Sequence, residues 1–432
     1  MSLLVGTAVK DITPPVGGQL AGFAARRAAS ERVNDPLSAR AVAVSDGGAI
    51  SVVVALDLIA LTVDQHHAWR QRAARSAGIA SSNIVLSAIH THGGPTVTPG
   101  ALGDEPDEAY LWSLEERIAD AVVEACNRME TAIITQGAGR CTDVASNRRQ
   151  AGGPIDPVVP VITITDVQGA TKAVVFSYAC HPVVLGADNL AVTADWPGAA
   201  RRSIERSLPG ATAVYLQGCC GQLNTGHSPG ASMTTAPQQR RTFAEAERVG
   251  ERIAAEVLGA RGDEQSPRAV DVAVAERPVE IEFRTPGAEL AQDVDAWNAE
   301  LTDADPARAS ILAMWLEWAA NTPAMVSNRS EATVAAHRWG DAVLAFLPGE
   351  PFVEMALDIR RATRLDHVLT AGYSGGVPGY VPYPPEAYHS GGYEIEEAHR
   401  FYGRPGVLEP AVGTRIFEAA VAAITAVAPD QS

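Results

Sequence analysis

The chain has 432 residues, 46% of them hydrophobic and 20% charged, with a formal net charge of −17. That length and apolar content support a large core, and a layered protein of this size can be a single unit. The acidic balance excludes a surface built for nucleic acid phosphates or anionic lipid, so the expected partner is a small molecule, with no nucleic acid and no stable membrane association.

The first 65 residues read as short strands and turns, with "DPLSARAVAVSDGGAISVVVALDLIAL" as a hairpin of buried strands about Asp46-Gly47-Gly48. Residues 63–78 read as a helix ending at Gly78. The strand "NIVLSAI" follows and delivers His90 and His92 at its end. Residues 108–131 read as a long helix, and 157–182 as two strands around a turn, the second ending at His181. "ADWPGAARRSIERSL" reads as a helix with Pro197 in its first turn. "TAVYLQG" is a further buried strand and "QQRRTFAEAERVGERIAAEVLGA" a further helix. Residues 286–328 hold two helical stretches separated by "TDADPARAS", an excursion on the core. The strand "DAVLAFLPGE", the helix "PFVEMALDIRRATR" and the closing helix "VGTRIFEAAVAAITAV" complete the pattern. Between the last two lies "GYSGGVPGYVPYPPEAYHSGGYE", with five tyrosines, which is too aromatic for disorder and long enough to cover something. The alternation predicts layered α/β, sheets flanked by helices, as a single catalytic domain over residues 1–432.

Five cysteines, an odd number spread over a long chain, fit a reducing compartment rather than a disulfide framework. No stretch reaches the roughly 20 apolar residues of a membrane helix, and "MSLLVGTAVKDITPP" lacks the pattern of a signal peptide. The expected location is cytoplasmic.

His90 and His92 stand at i and i+2, which on a strand share one face. Two imidazoles there can meet a metal or a substrate, and Gly93-Gly94 would let a substrate carbonyl approach the backbone. The alternative is a surface pair at the start of a loop. His181 ends a second apolar strand in the same manner, and zinc favours imidazole ligands. Glu350, after Leu-Pro-Gly, could be a ligand, but composition alone favours a cap on the next helix. No HExxH or CxxC spacing exists. "GHSPG" (226–230) matches the serine-hydrolase elbow, yet it lies about ten residues past the end of its strand, and Pro229 lacks the N–H that the oxyanion would need. Cys219 and Cys220 read as small buried residues in a tight turn, and His66 and His67 as solvated on a helix surface.

Eight stretches taken together resemble the neutral, non-lysosomal ceramidase family: "GTAVKDITPPVG", "DPLSARAVAV", "SAIHTHGGP", "SNRR", "SYACHPVVLG", "TADWPG", "PGEPF" and "GYVPYPPEAYHSGGYE". They follow the family's order and span nearly the whole chain. The resemblance implies a layered α/β catalytic domain with one zinc held by His90, His181, Glu350 and Tyr380. It implies His92 as the acid–base residue, Arg148 as the active-site arginine and Tyr393 as a group that polarises the substrate carbonyl. Three departures stand out. The chain stops where full-length members continue into an immunoglobulin-like domain, it shows no secretion signal, and "QGCCGQLN" replaces the family's Gly-Asp-Val stretch. They fit a shorter relative with a soluble substrate.

The expected function is thus a zinc-dependent hydrolase cleaving a linear N-acyl amide bond by metal-activated water. A zinc esterase or lactonase is the alternative within hydrolases, and a metal-containing binding protein without catalysis the alternative outside them. A TIM-barrel amidohydrolase also uses an HxH pair, but eight βα units cannot be counted here.

Overall fold

Runs such as "SVVVAL" and "AVVFSY" are too apolar and β-branched to face water on either side, so they form the interior of a sheet. The computed structural model describes residues 3–103, 105–260, 271–322, 328–365 and 367–428. Eight strands make the larger sheet: β1 (Leu3–Asp11), β2 (Ser38–Ser45), β3 (Ile50–Leu56), β4 (Ile84–Ala88), β5 (Glu130–Arg140), β6 (Val158–Asp166), β7 (Thr171–Tyr178) and β8 (Thr212–Gln217). Their order is β8-β7-β6-β5-β1-β2-β3-β4. The inner pairs are antiparallel, while β3–β4 and β7–β8 are parallel. A parallel pair needs a crossover. Helix α1 (Val63–Ala77) supplies it between β3 and β4, and α3 (Asp195–Ser207) between β7 and β8. The sheet curls until its edge strands β4 and β8 meet. The carboxyl ends of both βαβ units therefore open at one place, where α/β sheets bind ligands. Helix α2 (Glu108–Asn127) packs on α1 and β1, and α4 (Phe243–Gly259) on α3.

A second sheet holds β9 (Val272–Arg284), β10 (Arg329–Trp339), β11 (Ala342–Phe346), β12 (Leu369–Ala371) and β13 (Val407–Leu408), in the order β12-β11-β10-β9-β13. Its two faces divide the core by strand alternation. Leu344 and Phe346 join the core of the larger sheet. Val343, Ala345 and Leu347 face a second core that includes α7 (Val353–Thr363) and α8 (Pro410–Val427). Among the described residues, α8 is the one helix long and apolar enough to cross a membrane. It buries Val412, Ile416, Ala420 and Ile424 in that second core. The layered α/β arrangement expected from the sequence is the one observed.

Several local expectations need correction. The helix read to residue 131 stops at Asn127, and the 11-residue strand β5 begins at Glu130. Strands β9 and β10 carry no reading in the sequence. Pro278 lies inside β9 opposite Thr333, and it is tolerated because β13 pairs only with Phe283 and Arg284, leaving that edge open. His66 is buried, against the expectation of a solvated helix face, while His67 is exposed. The excursion contains α5 (Glu289–Leu301) and α6 (Pro306–Asn321), whose Trp297, Trp315 and Trp318 cluster with Phe401. Its last part, residues 323–327, lies outside the described residues.

Candidate metal centre

His90 lies two residues beyond the end of β4, with a left-handed φ of 67°. The warrant that His90 and His92 share a strand face therefore fails. They converge through a turn instead. The backbone N–H of His90 donates to the carbonyl of Leu58 and fixes that turn on the neighbouring strand's extension. His181 follows β7, its N–H donating to the carbonyl of Leu223. Glu350 arrives from the second sheet. Glu350–Pro351 pairs in parallel with Tyr380–Val381, so Glu350 and Tyr380 lie side by side. Gly349 allows it: φ is 77°, and a Cβ there would stand 2.8 Å from the carbonyl of Gly379. Glu350 does not cap α7, whose N-cap is Phe352 with no side-chain hydrogen bond. A short pairing of Ser146–Asn147 with Leu223–Asn224 brings Arg148 to the same place.

The donor set now follows from chemistry. His90 Nδ1 donates to the carbonyl of Ile59 at 2.7 Å, and His181 Nδ1 to those of Cys220 and Leu223 at 2.8 and 3.0 Å. These bonds fix the tautomer and turn both Nε2 lone pairs inward. Glu350 Oε2 lies 3.0 Å from His181 Nε2 and 3.4 Å from His90 Nε2. Its Oε1 is buried without a partner. All three residues are buried, and their ligand atoms lie within 4.8 Å of one another. Desolvation pulls the His90 pKa down to about 4 and that of His181 to about 3. Burial raises that of Glu350. Three acceptors thus face one point with no imidazolium proton between them at neutral pH. A cation would satisfy such a set, and two imidazoles with a carboxylate suit a divalent transition ion.

The remaining expected residues surround this point. His92 Nε2 is 3.3 Å from His90 Nε2. Desolvation, then the charges of its neighbours, hold its pKa well below the usual value. Arg148 donates through Nε to Glu394 Oε1 at 2.7 Å, and through Nη2 to the carbonyl of Gly221 at 2.9 Å and to the Tyr380 phenol oxygen at 3.0 Å. It therefore fixes Tyr380, a role the sequence does not reveal. Tyr380 stacks over His181 with centroids 6.4 Å apart. Tyr393 stands edge-on to Tyr380 at 5.9 Å, and its phenol makes no hydrogen bond among the described residues. A cavity opens onto His92, His181, Arg148, Tyr380 and Tyr393. Phe23, Val183, Met233, Met314 and Phe401 give it apolar walls, Met314 coming from the helical excursion.

Two features differ from the reading of the motifs. Gly93 and Gly94 are not among the residues that line the cavity. A Cβ on Gly93 would stand 2.5 Å from the Thr193 side chain, so the pair serves close packing. Gly22 does line the cavity, with φ of 98°, and it packs closely too, since a Cβ there would stand 2.4 Å from His92 Nδ1. Sequence reasoning also missed Tyr373. Its phenol donates to Glu350 Oε2 at 3.0 Å and its ring stacks on His90 at 4.3 Å. It is the first of the five tyrosines of the covering loop, and that loop was its only signal. Glu394, which binds Arg148 and Arg149, had none. Ser228 is exposed and caps a short 3-10 helix, consistent with no nucleophilic role. Cys219 and Cys220 are buried, as expected.

Curled and flat sheets between helices, with a buried two-histidine, one-carboxylate donor set at their meeting point, define a candidate metalloprotein of layered α/β type. Residues 3–230 match the profile of the neutral/alkaline non-lysosomal ceramidase, N-terminal, family, and the chain belongs to that family. Its fold is similar to the crystal structure of neutral ceramidase from Pseudomonas aeruginosa. The TM-score is 0.74 at 19% identity, covering 100% of this chain and 76% of that one. It is equally similar to a ceramidase complexed with C2, with a TM-score of 0.75 at 18% identity, covering 100% of this chain and 77% of the other. A comparison with curated proteins gave no match.

Proposed function

We propose that the chain is a zinc-dependent hydrolase that cleaves a linear amide bond between an acyl group and an amine, on a substrate more soluble than a membrane ceramide. The observation that carries this reading is the convergence of His90 Nε2, His181 Nε2 and Glu350 on one buried point. Membership of the ceramidase family supports the amide. The mixed lining of the cavity, with Gln19, Arg26 and Arg148 beside Met233, Met314 and Phe401, supports a substrate with both a polar and an apolar part. The five cysteines stand as free thiols, which supports a reducing, cytoplasmic setting.

His90, His181, Glu350 and Tyr380 would hold the ion. Bound there, Zn²⁺ supplies Lewis acidity, lowering the pKa of a water to roughly 7 and polarising a carbonyl oxygen. The chain's own residues supply the rest. His92, neutral at pH 7, accepts a proton at Nε2 from the attacking water and returns it to the leaving amine. Tyr393, with its phenol uncommitted, donates to the carbonyl oxygen as charge develops there. Arg148 fixes Tyr380, and the apolar walls exclude bulk water. Metal analysis and turnover of the single variants test this division. His90→Ala and His181→Ala should lose zinc, whereas His92→Ala should retain zinc and lose turnover. Full amidase activity in metal-stripped protein would refute the reading.

A further inference from the structure

The cavity carries a charge pattern that amide hydrolysis alone does not require. The chain is strongly acidic at −17. Yet among the described residues no carboxylate lines the cavity, whereas the guanidinium groups of Arg26 and Arg148 do. Arg26 is 3% exposed and donates only to backbone carbonyls, those of Ala21, His92 and Asn189. Among the described residues it forms no ion pair, the charge of Asp188 acting on it only from a distance, and its Nε has no partner. Desolvation pulls its pKa down to about 9. Arg241 is arranged in the same way, on the carbonyls of Val183, Leu185 and Ala231, again with an unpartnered Nε. The two guanidinium carbons stand 5.1 and 5.5 Å from the centroid of the Phe23 ring, which lies 4.7 Å from the His92 ring. A second excess sits at Glu394. That one carboxylate serves both Arg148 and Arg149, at 2.7 and 2.8 Å. Among the described residues Arg148 Nη1 is left without a hydrogen bond.

Buried cations that outnumber their counter-charges are costly, as where Arg148 and Arg149 share Glu394, and an anion can complete such a site. The excess also lies close to the reacting centre, because Arg26 holds the carbonyl of His92 and Arg148 holds Tyr380. The anion must therefore lie close to the scissile bond. We propose that the substrate is an N-acyl amino acid, whose carboxylate is one carbon removed from the amide nitrogen. Arg148 Nη1 hydrogen-bonds that carboxylate. Arg26 and Arg241 supply field rather than contact, and the acyl group lies along Met233, Met314 and Phe401. This rests on the amide hydrolysis proposed above. The C–N bond breaks, the oxygen of water joins the acyl carbon, and its proton passes to the amine, giving a carboxylic acid and a free amino acid.

The test compares N-dodecanoylglycine with its neutral isostere N-dodecanoylglycinamide on the zinc-loaded wild-type protein. The acid should exceed the amide in kcat/KM by roughly tenfold or more, the expected gain from a charge-assisted hydrogen bond. Arg149→Met, which removes one cation without altering the cavity lining, should lower that ratio several-fold. The ratio does not depend on the fraction of protein that folds. Equal or better turnover of the neutral amide overturns the proposal, as does a ratio unmoved in Arg149→Met. If neither compound is cleaved, the amidase reading fails by itself. Calorimetric binding of the two compounds then decides the anion question: tighter binding of the acid sustains it, and equal binding overturns it.

Discussion

Tyr373→Phe isolates one hydrogen bond at the proposed metal centre. The Tyr373 phenol donates its proton to Glu350 Oε2 at 3.0 Å. With that proton committed, the 3.2 Å contact to Cys220 is a thiol donating to the phenol oxygen. Phenylalanine keeps the ring and its 4.3 Å stacking on His90 but removes this relay. The residue is 2% exposed, so no water replaces the lost group easily. Hydrogen bonds to charged partners contribute about 1.5–3 kcal/mol. That range corresponds to a loss of roughly 10- to 100-fold in metal affinity, the usual effect of removing an outer-shell partner. The metal-free fold should also lose about 1–3 kcal/mol, because a buried carboxylate loses its donor. Competition with a chromophoric chelator at pH 7.5 measures the affinity, and urea unfolding of the stripped protein measures the fold. A normally folded variant with zinc affinity within about twofold of wild type, well inside the range expected of an outer-shell loss, would refute the assignment of Tyr373 to Glu350.

Three further outcomes are expected. Gly22→Ala places a Cβ 2.4 Å from His92 Nδ1 and 2.5 Å from Ile59 Cδ1, at a φ of 98°. The displaced His92 should cost roughly a hundredfold in kcat with zinc content unchanged, and an unaltered kcat would show that the position of His92 is immaterial. His337 is buried beside Ser51, with its pKa lowered by desolvation from 6.5 to about 3. Its stabilising share is complete above pH 6.5 and is lost as the pH falls from there toward 3, because the unfolded chain takes up the proton first. At pH 5.5 that loss is about 1.4 kcal/mol. His337→Asn should therefore lose less stability than wild type between pH 7.5 and 5.5, and parallel urea curves would contradict this. Finally, zinc added to metal-free protein at 100 times Kd should raise unfolding free energy by about 2.7 kcal/mol. Unchanged melting with and without the ion would exclude a site in the folded state.

The sequence reveals those parts of the fold in which one local signal dominates. Helix α1 carries a Thr62–Gln65 capping box and a left-handed Gly78, and its bounds are read within a residue. Strand β4 is buried along its whole length and reads as such. Strand β9 fails because its burial is mixed and a proline interrupts it, so it is held by pairing with β10 rather than by its own pattern. At the site, the histidines are legible as residue types but not through the geometry invoked for them. Glu350 reads as a cap because the pairing that moves it off the helix lies 30 residues away at Tyr380. Tyr373, Arg26 and Glu394 act through contacts between elements distant in sequence, and nothing local marks them.

Two non-glycine residues at the centre hold left-handed backbone angles, His90 at 67° and Tyr373 at 56°. Each such conformation costs on the order of 1–3 kcal/mol and persists only where its surroundings dictate it. Those surroundings are specific here. His90 is tied by its N–H to Leu58. Tyr373 is tied by its N–H to Gly349 and by its carbonyl to the N–H of Ala88, while Gly372 donates to Gln217. Residues 372–374 thus fill the gap between the two edges of the curled sheet, joining β8 on one side to β4 on the other. Glycine would relax either position, but it would remove a ring from the stacked His90–Tyr373 pair that presents Nε2 and Glu350 to the same point. The strain is retained because closure of the sheet and assembly of the donor set are carried by the same few residues.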